Sequence, residues 1–166
     1  MSFGNETNRL DEEPSELEIR IFATRLLGVR EYAVRELIAR ICKKWPKALE
    51  AEKVVGEMVS ENLVSDERYA ESFVRSRRKK FQGPIKIRAA MGSKGVGDAI
   101  IASALSDTDE SWIDLAAQWL GRSGYVSSSI QQRAKFYRRL INRGFSHSQA
   151  MTGLAQVDAE SRHSEL

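Results

Sequence analysis

Two stretches of the chain repeat one another at a fixed offset, and this limits the fold more than any other feature. IRAAMGSKGVGDAIIASAL (87–105) can be written over FYRRLINRGFSHSQAMTGL (136–154) without a gap, 49 residues apart. Ile87 then falls on Phe136, Met91 on Leu140, Lys94 on Arg143 and Gly95 on Gly144. Val96 falls on Phe145, Ile101 on Ala150 and Leu105 on Leu154. Each copy reads as helix, glycine, helix: apolar residues at helical spacing flank a glycine that can take the left-handed conformation ending a helix. Each copy follows another amphipathic helix. The first segment fits the scheme loosely, with Val34 and Leu37 opening it and Trp45-Pro46 in place of the glycine. A single such unit is too small to bury an adequate core, so neighbours must stack. The expected architecture is all-α: an elongated, curved array of three tandem three-helix repeats with a concave side. The expected boundaries are a disordered tail at 1–14, repeats at 15–64, 65–107 and 108–158, and a C-terminal tail at 159–166.

Local signals place nine helices. Ser15-x-x-Glu18 is a capping box, and the helix after it carries Leu17, Ile21, Phe22, Leu26 and Leu27 before stopping near Gly28. The second spans Tyr32–Lys44 with Val34, Leu37, Ile38 and Ile41 apolar, and Trp45-Pro46 ends it, because the residue before proline is pushed out of helical geometry. The third spans Ala48–Asn62. The fourth opens at Ser65-Asp66-Glu67, and the fifth starts near Pro84, where a missing N–H costs nothing. The sixth spans Asp98–Leu105 and the seventh Ser111–Leu120, after a polar link at Asp107-Thr108-Asp109-Glu110. Ser128-x-x-Gln131 caps the eighth, with Ile130, Ala134, Tyr137 and Ile141 on one stripe. Ser146-x-x-Gln149 caps the ninth, which runs to about Val157. No segment alternates with the period of a strand.

Charge is unevenly distributed. The net charge is only +3, but the first 67 residues are richer in acid and the rest richer in base. From Arg75 to Gly97 there are eight basic residues and no acid: Arg75, Arg77, Arg78, Lys79, Lys80, Lys86, Arg88 and Lys94. From Leu115 to Val157 there is again no acid, and the bases are Arg122, Arg133, Lys135, Arg138, Arg139 and Arg143. On the eighth helix, Lys135, Arg138 and Arg139 fall away from the apolar stripe, so they are expected to be exposed. A solubilising face normally mixes signs. Runs without counter-charge suit a polyanion or an acidic protein groove. The recurrence of a base just before the repeated glycine suits a periodic partner: a strand, a duplex or a filament.

The residues exclude as much as they suggest. Cys42 is the only cysteine, so no internal disulfide or cysteine zinc site forms; it is expected to pack as a small apolar residue. His147 and His163 have no metal-ligand or triad spacing. Gly92-x-x-Gly95-x-Gly97 follows a helix rather than a strand, unlike a phosphate loop. No catalytic constellation, metal site or cofactor is expected. No apolar run approaches the ~20 residues of a membrane span, and the polar, acidic N-terminus is not a targeting segment; a cytoplasmic location is expected. Trp112 and Trp119 read as core. Phe81, beside Lys79-Lys80, is the better stacking or interface candidate.

The stretch VSDERYAESFVRSRRKKFQGPIKIRAAMGSKGV (64–96) resembles the RecX family of recombinase regulators. That family typically shows an acidic pair, Glu-Arg and an aromatic-Ala step, a basic run, Gly-x-x-x-Ile-Arg, and Lys-Gly-Ile/Val. Here these stand as Asp66-Glu67-Arg68-Tyr69-Ala70, Arg75–Lys80, Gly83-Pro84-Ile85-Lys86-Ile87-Arg88, and Lys94-Gly95-Val96. The likeness extends over about residues 17–157. Where the family usually has Gly-Tyr/Phe-Leu-Asp, this chain has Asn62-Leu63-Val64-Ser65, and Met91-Gly92 stands for a typical Leu-x. The resemblance implies three tandem three-helix repeats lying in the groove of the RecA–DNA filament. It implies a protein without catalytic residues that inhibits the filament's ATPase, strand-exchange and co-protease activities; a monomer is expected. The contact surfaces would be Arg75, Arg77, Arg78, Lys79, Lys80, Lys86, Arg88 and Lys94, and then Arg133, Lys135, Arg138, Arg139 and Arg143. Weak direct binding to single- or double-stranded DNA is also expected, and the alternative is a protein of helix-turn-helix type that binds DNA directly, without RecA, and whose ninth helix would read bases through Ser146, His147 and Gln149.

Overall fold

The protein is described by a computed structural model covering residues 13–106, 109–126 and 129–163. These residues form nine α-helices and no strand, arranged in chain order as three tandem triplets. The first triplet is α1 (Glu16–Leu27), α2 (Val34–Lys44) and α3 (Ala51–Ser60). The second is α4 (Asp66–Arg78), α5 (Pro84–Ser93) and α6 (Asp98–Ala104). The third is α7 (Asp109–Arg122), α8 (Ile130–Asn142) and α9 (His147–His163).

The end signals act largely as read. Ser15 Oγ accepts from the Glu18 N–H while the Glu18 carboxylate accepts from the Ser15 N–H. Ser146 and Gln149 make the same reciprocal pair at α9, at 3.1 and 3.0 Å. Trp45 leaves helical geometry before Pro46. At α8 the cap is Ser129, whose hydroxyl accepts from the Gln132 N–H, one residue later than expected; Ser128 lies outside the described residues. The tail expected at 1–14 lies almost wholly outside them too. Asp109 and Glu110, read as linker, begin α7. Residues 159–163, read as tail, continue α9, and Asp158 on its inner face is tied down by Tyr125 and Arg133.

The chain divides into two compact units, and they do not follow the three expected boundaries. One unit holds the described residues up to Ser72 with residues 92–100; the other holds residues 73–91 with the described residues from Ile101 on. Glycine joints within each unit explain why the middle triplet is shared out. In the first unit the Gly95 turn sits against α2: a Cβ there would strike the Arg35 side chain. In the second unit the Gly144 turn sits against the start of α5, where a Cβ would strike Lys86. Gly83 and Ile85 donate their N–H groups to the Arg143 and Gly144 carbonyls at 2.8 and 3.0 Å. Gly95 and Gly144 have φ of +81° and +91°, the left-handed region that glycine enters without a Cβ penalty.

The core of the first unit is Ile19, Ala23, Leu37, Ile41, Val54, Val55 and Met58 from α1, α2 and α3, closed by Tyr32 and Val64. Leu17 and Ile21, expected on the buried face of α1, are 67% and 43% exposed, and Ile19 and Ala23 are buried instead. Cys42, expected to pack inside, is exposed. In the second unit α9 packs on α7 and α8. Its core includes Trp112, Leu115, Ala116, Trp119, Leu120, Phe136, Leu140, Phe145, Ala150 and Leu154. The repeat alignment is confirmed: both members of all five apolar pairs, from Ile87/Phe136 to Leu105/Leu154, are buried. The expected stripe of α8 is corrected. Ile130 is 88% exposed, and Phe136 and Leu140 face the core.

Asn62 occupies the left-handed region at φ 58°, where the family pattern has glycine. Asparagine enters this region more readily than most side chains, and its Oδ1 accepts from Arg68 Nη1 at 2.7 Å. Gly92 lies within α5 with open space where a Cβ would stand, so the helix passes through it.

Candidate interaction surface

The expected basic residues are separated by the fold into three kinds. The first kind holds the protein together. Arg78 stacks over the Trp112 ring at 4.3 Å and donates to Ser111 Oγ at 2.7 Å, fastening α4 to α7. Arg77 lies over Phe73, one turn back on α4, at 4.5 Å. Arg133 is bound to Asp158, whose other oxygen accepts from Tyr125 Oη at 2.7 Å. Lys94 lies in the first unit, apart from the basic run of which it was expected to be a part, and is neutralised there. Its Nζ stands 2.8 Å from Glu36 Oε1, and Arg30 holds the same carboxylate at 3.1 Å. Lys94 and Arg143 thus occupy equivalent repeat positions with different partners.

Burial by itself would raise the Glu36 pKa. Hydrogen bonds from Arg30 and Lys94, together with their charges, outweigh it and hold the carboxyl below its ordinary value of 4.5. A depressed folded-state pKa adds stability that is present above the unfolded value and lost as pH falls through the folded one. Glu36→Gln should therefore cost about 1 kcal/mol at pH 7. The gap between variant and parent should close in acid, below the depressed pKa. Urea unfolding at the two pH values measures this.

The second kind is simply exposed: Arg75, Lys79, Lys80, Arg88, Lys135 and Arg138. The third kind converges. Lys86 from α5, with Arg139 and Arg143 from α8 and its C-cap, lines a pocket of about 300 Å³ with Gln82, Asn142 and Trp119. No carboxylate lines it. Trp119 is 6% exposed, so it is core, as expected, and cannot stack on a base. Its ring instead carries both guanidiniums, Arg143 at 4.6 Å and Arg139 at 5.7 Å; cation–π contact orients them without cancelling their charge. Arg143 donates to the carbonyls of Lys80 and Phe81 at 3.0 and 3.3 Å, and Lys86 Nζ to the Asn142 carbonyl at 3.4 Å. Burial, and then the neighbouring Arg139 charge, pull the Arg143 pKa below its ordinary value. The chemistry of such a pocket suits an anionic oxygen group, a phosphate or a carboxylate.

Reading the sequence alone singled out the three cations but not the amides or the indole that shape the pocket. The pocket exists because the Gly83–Gly144 joint brings residues about 60 apart in sequence together, which no local pattern encodes. Phe81, the stacking candidate, is half-buried at φ 53° with Arg122 over its ring at 5.3 Å. The side chains required by a helix-turn-helix reading are engaged within the protein: Ser146 and Gln149 cap α9, and His147 Nδ1 lies 2.9 Å from Tyr137 Oη. Among the described residues no group of acids, histidines or cysteines could hold a metal ion, and no helix is long and apolar enough to cross a membrane.

Comparison with known proteins agrees with this architecture. The family profile described as "RecX, second three-helix domain" matches residues 65–105. The Regulatory protein RecX of Chromohalobacter salexigens is 35% identical over 136 residues, spanning 81% of this chain and 90% of its own. That of Chlorobium phaeobacteroides is 36% identical over 128 residues, spanning 76% and 85%. The crystal structure of RecX from Lactobacillus salivarius superposes with a TM-score of 0.73 at 21% identity, covering 87% of this chain and 97% of that one. Given this identity over nearly the whole of a relative, together with the shared fold, the chain belongs to the RecX regulatory protein family.

Proposed function

We propose that the protein regulates RecA by binding the RecA–DNA filament and lowering its ATPase, recombinase and co-protease activities. It acts by occupation rather than by chemistry. The observation that carries this reading is the pocket of Lys86, Arg139 and Arg143, three cations with no lining carboxylate, flanked in sequence by the exposed Lys79, Lys80, Arg88, Lys135 and Arg138. Cations left uncompensated in the free protein are available to phosphates or acidic side chains of a partner. A filament presents such groups at regular intervals. RecA is the partner that the resemblance to the RecX family of recombinase regulators implies. Lys94 and Arg133 take no part in the contact, because each is already paired with a carboxylate within the protein.

The test is ATP hydrolysis by RecA assembled on single-stranded DNA, followed as the protein is added. Hydrolysis should fall at or below one protein per RecA, and the loss should weaken as salt is raised. Unchanged hydrolysis at equimolar protein in low salt would end the proposal. Tight, steeply salt-dependent binding to bare DNA with no effect on the filament would favour direct DNA binding instead.

A further inference from the structure

The stripe expected to bury α8 in the core is on the surface, and it forms one wall of an apolar groove. Ile130, Arg133, Ala134 and Tyr137 of α8 line a cavity of about 330 Å³ with His147 and Met151 of α9; the buried Leu154 forms its floor, and Tyr137 Oη meets His147 Nδ1 at 2.9 Å. Ile130, Ala134 and Tyr137 are spaced four and then three residues apart, and so are His147, Met151 and Leu154. Two such rows side by side form the seam into which a third helix packs. Ile130 is 88% exposed and Met151 39%, so apolar side chains stand open at the groove.

The tandem architecture does not require this face. Forty-nine residues earlier, the positions equivalent to Ala134, Tyr137, His147 and Met151 are Ile85, Arg88, Asp98 and Ala102. Charge interrupts the row in the second triplet, whereas the core pairs of the repeat stay apolar in both. The second triplet keeps apolar residues at the two outer positions, Phe81 and Leu105, but does not continue the row between them, and exposed apolar surface of this kind marks an interaction site.

The rim selects the occupant. Arg138 Nε donates to the Ala134 carbonyl at 3.3 Å, holding its guanidinium beside one wall. Arg162 Nε donates to the Asp158 carbonyl at 3.1 Å, near the end where Arg133 lines the groove. Asp158 itself is 9% exposed and occupied by Arg133 and Tyr125. The edge is thus basic, and the adjacent carboxylate is spent. A second copy of this chain would set Arg138 and its neighbours against their own kind, a like-charge arrangement that disfavours pairing.

We infer that the groove receives an amphipathic helix of a partner protein, with apolar residues at four–three spacing and aspartates or glutamates beside them. The probe is a fluorescein-labelled helical peptide carrying leucines at that spacing with flanking glutamates. Its twin carries lysines in place of the glutamates. Both are titrated with the full chain, without RecA, and read by anisotropy. The glutamate peptide should bind at least about tenfold tighter than its twin, and Ile130→Asp or Met151→Asp should weaken it about tenfold or more. Both positions are exposed, so the melting temperature should stay unchanged. Arg138→Glu should narrow the gap between the peptides. Absence of saturable binding, or equal binding of the twins, overturns the inference. So does a dimer, seen by light scattering, that Ile130→Asp dissolves. Binding that appears only after residues 1–12 are removed assigns the groove to this chain's own N-terminal segment and overturns it as well.

Discussion

Gly144→Ala should destabilise the second unit by about 3–5 kcal/mol, lowering the melting temperature by roughly 10 °C or more. Two effects add. The residue has φ +91°, a conformation that L side chains rarely adopt. A Cβ would also overlap the backbone and Cβ of Lys86. Neither neighbour can move cheaply, because the Gly144 carbonyl accepts from Ile85 N–H and the Arg143 carbonyl from Gly83 N–H. Gly83 is equally confined, since its own Cβ would overlap the Gly144–Phe145 peptide. Gly95→Ala should cost less, although φ is +81°, because what it would strike is the flexible side chain of Arg35. Gly92→Ala is the control: the glycine is helical with nothing within 4 Å, so alanine should be neutral or stabilising by up to about 1 kcal/mol. Thermal unfolding followed by circular dichroism ranks all three. A Gly144→Ala protein as stable as the parent would mean that the joint is not held as described.

Lys86→Glu combined with Arg139→Glu should weaken binding to the RecA filament by about 100-fold, or about 2.7 kcal/mol. The pair is chosen because both side chains are exposed, and neither makes the carbonyl contacts through which Arg143 fastens the loop at Lys80 and Phe81. Reversal places two carboxylates beside Arg143, so the pocket becomes self-neutralised and stops attracting anions. Folding should survive, with a melting temperature close to that of the parent. Co-sedimentation with assembled filaments measures affinity, and ATP hydrolysis measures the consequence. Lys94→Met supplies the contrast: it should lower stability by leaving Glu36 with Arg30 alone, while binding stays as in the parent. The opposite pattern, with Lys94 needed for binding and the pocket dispensable, would move the contact surface into the first unit.

The two sequence arguments about α8 conflicted, and their outcome is instructive. Helical periodicity within α8 chose Ile130, Ala134, Tyr137 and Ile141 as the inner face. The offset repeat instead matched Phe136 and Leu140 with Ile87 and Met91. The structure sides with the repeat. A helix with apolar residues on two faces has no intrinsic means of stating which face is inward. A second copy of the same joint does state it, because equivalent positions meet equivalent surroundings. The same limit explains α1, where Leu17 and Ile21 are exposed while Ile19 and Ala23 are buried.

What the sequence determined by itself is local or periodic. Helix ends follow from Ser15, Trp45-Pro46, Pro84 and Ser146, the left-handed turns from Gly95 and Gly144, and the buried pairs from the 49-residue offset. Each rests on backbone sterics, capping or repetition, which operate over a few residues or within one copy of a motif. Tertiary structure alone decided which cations are free. Lys94 and Arg143 are equivalent in sequence, yet one meets Glu36 and the other joins Arg139 and Lys86 in a pocket without an acid. A charge is compensated or not according to what other parts of the chain bring within a few ångströms of it, and a linear pattern does not carry that information.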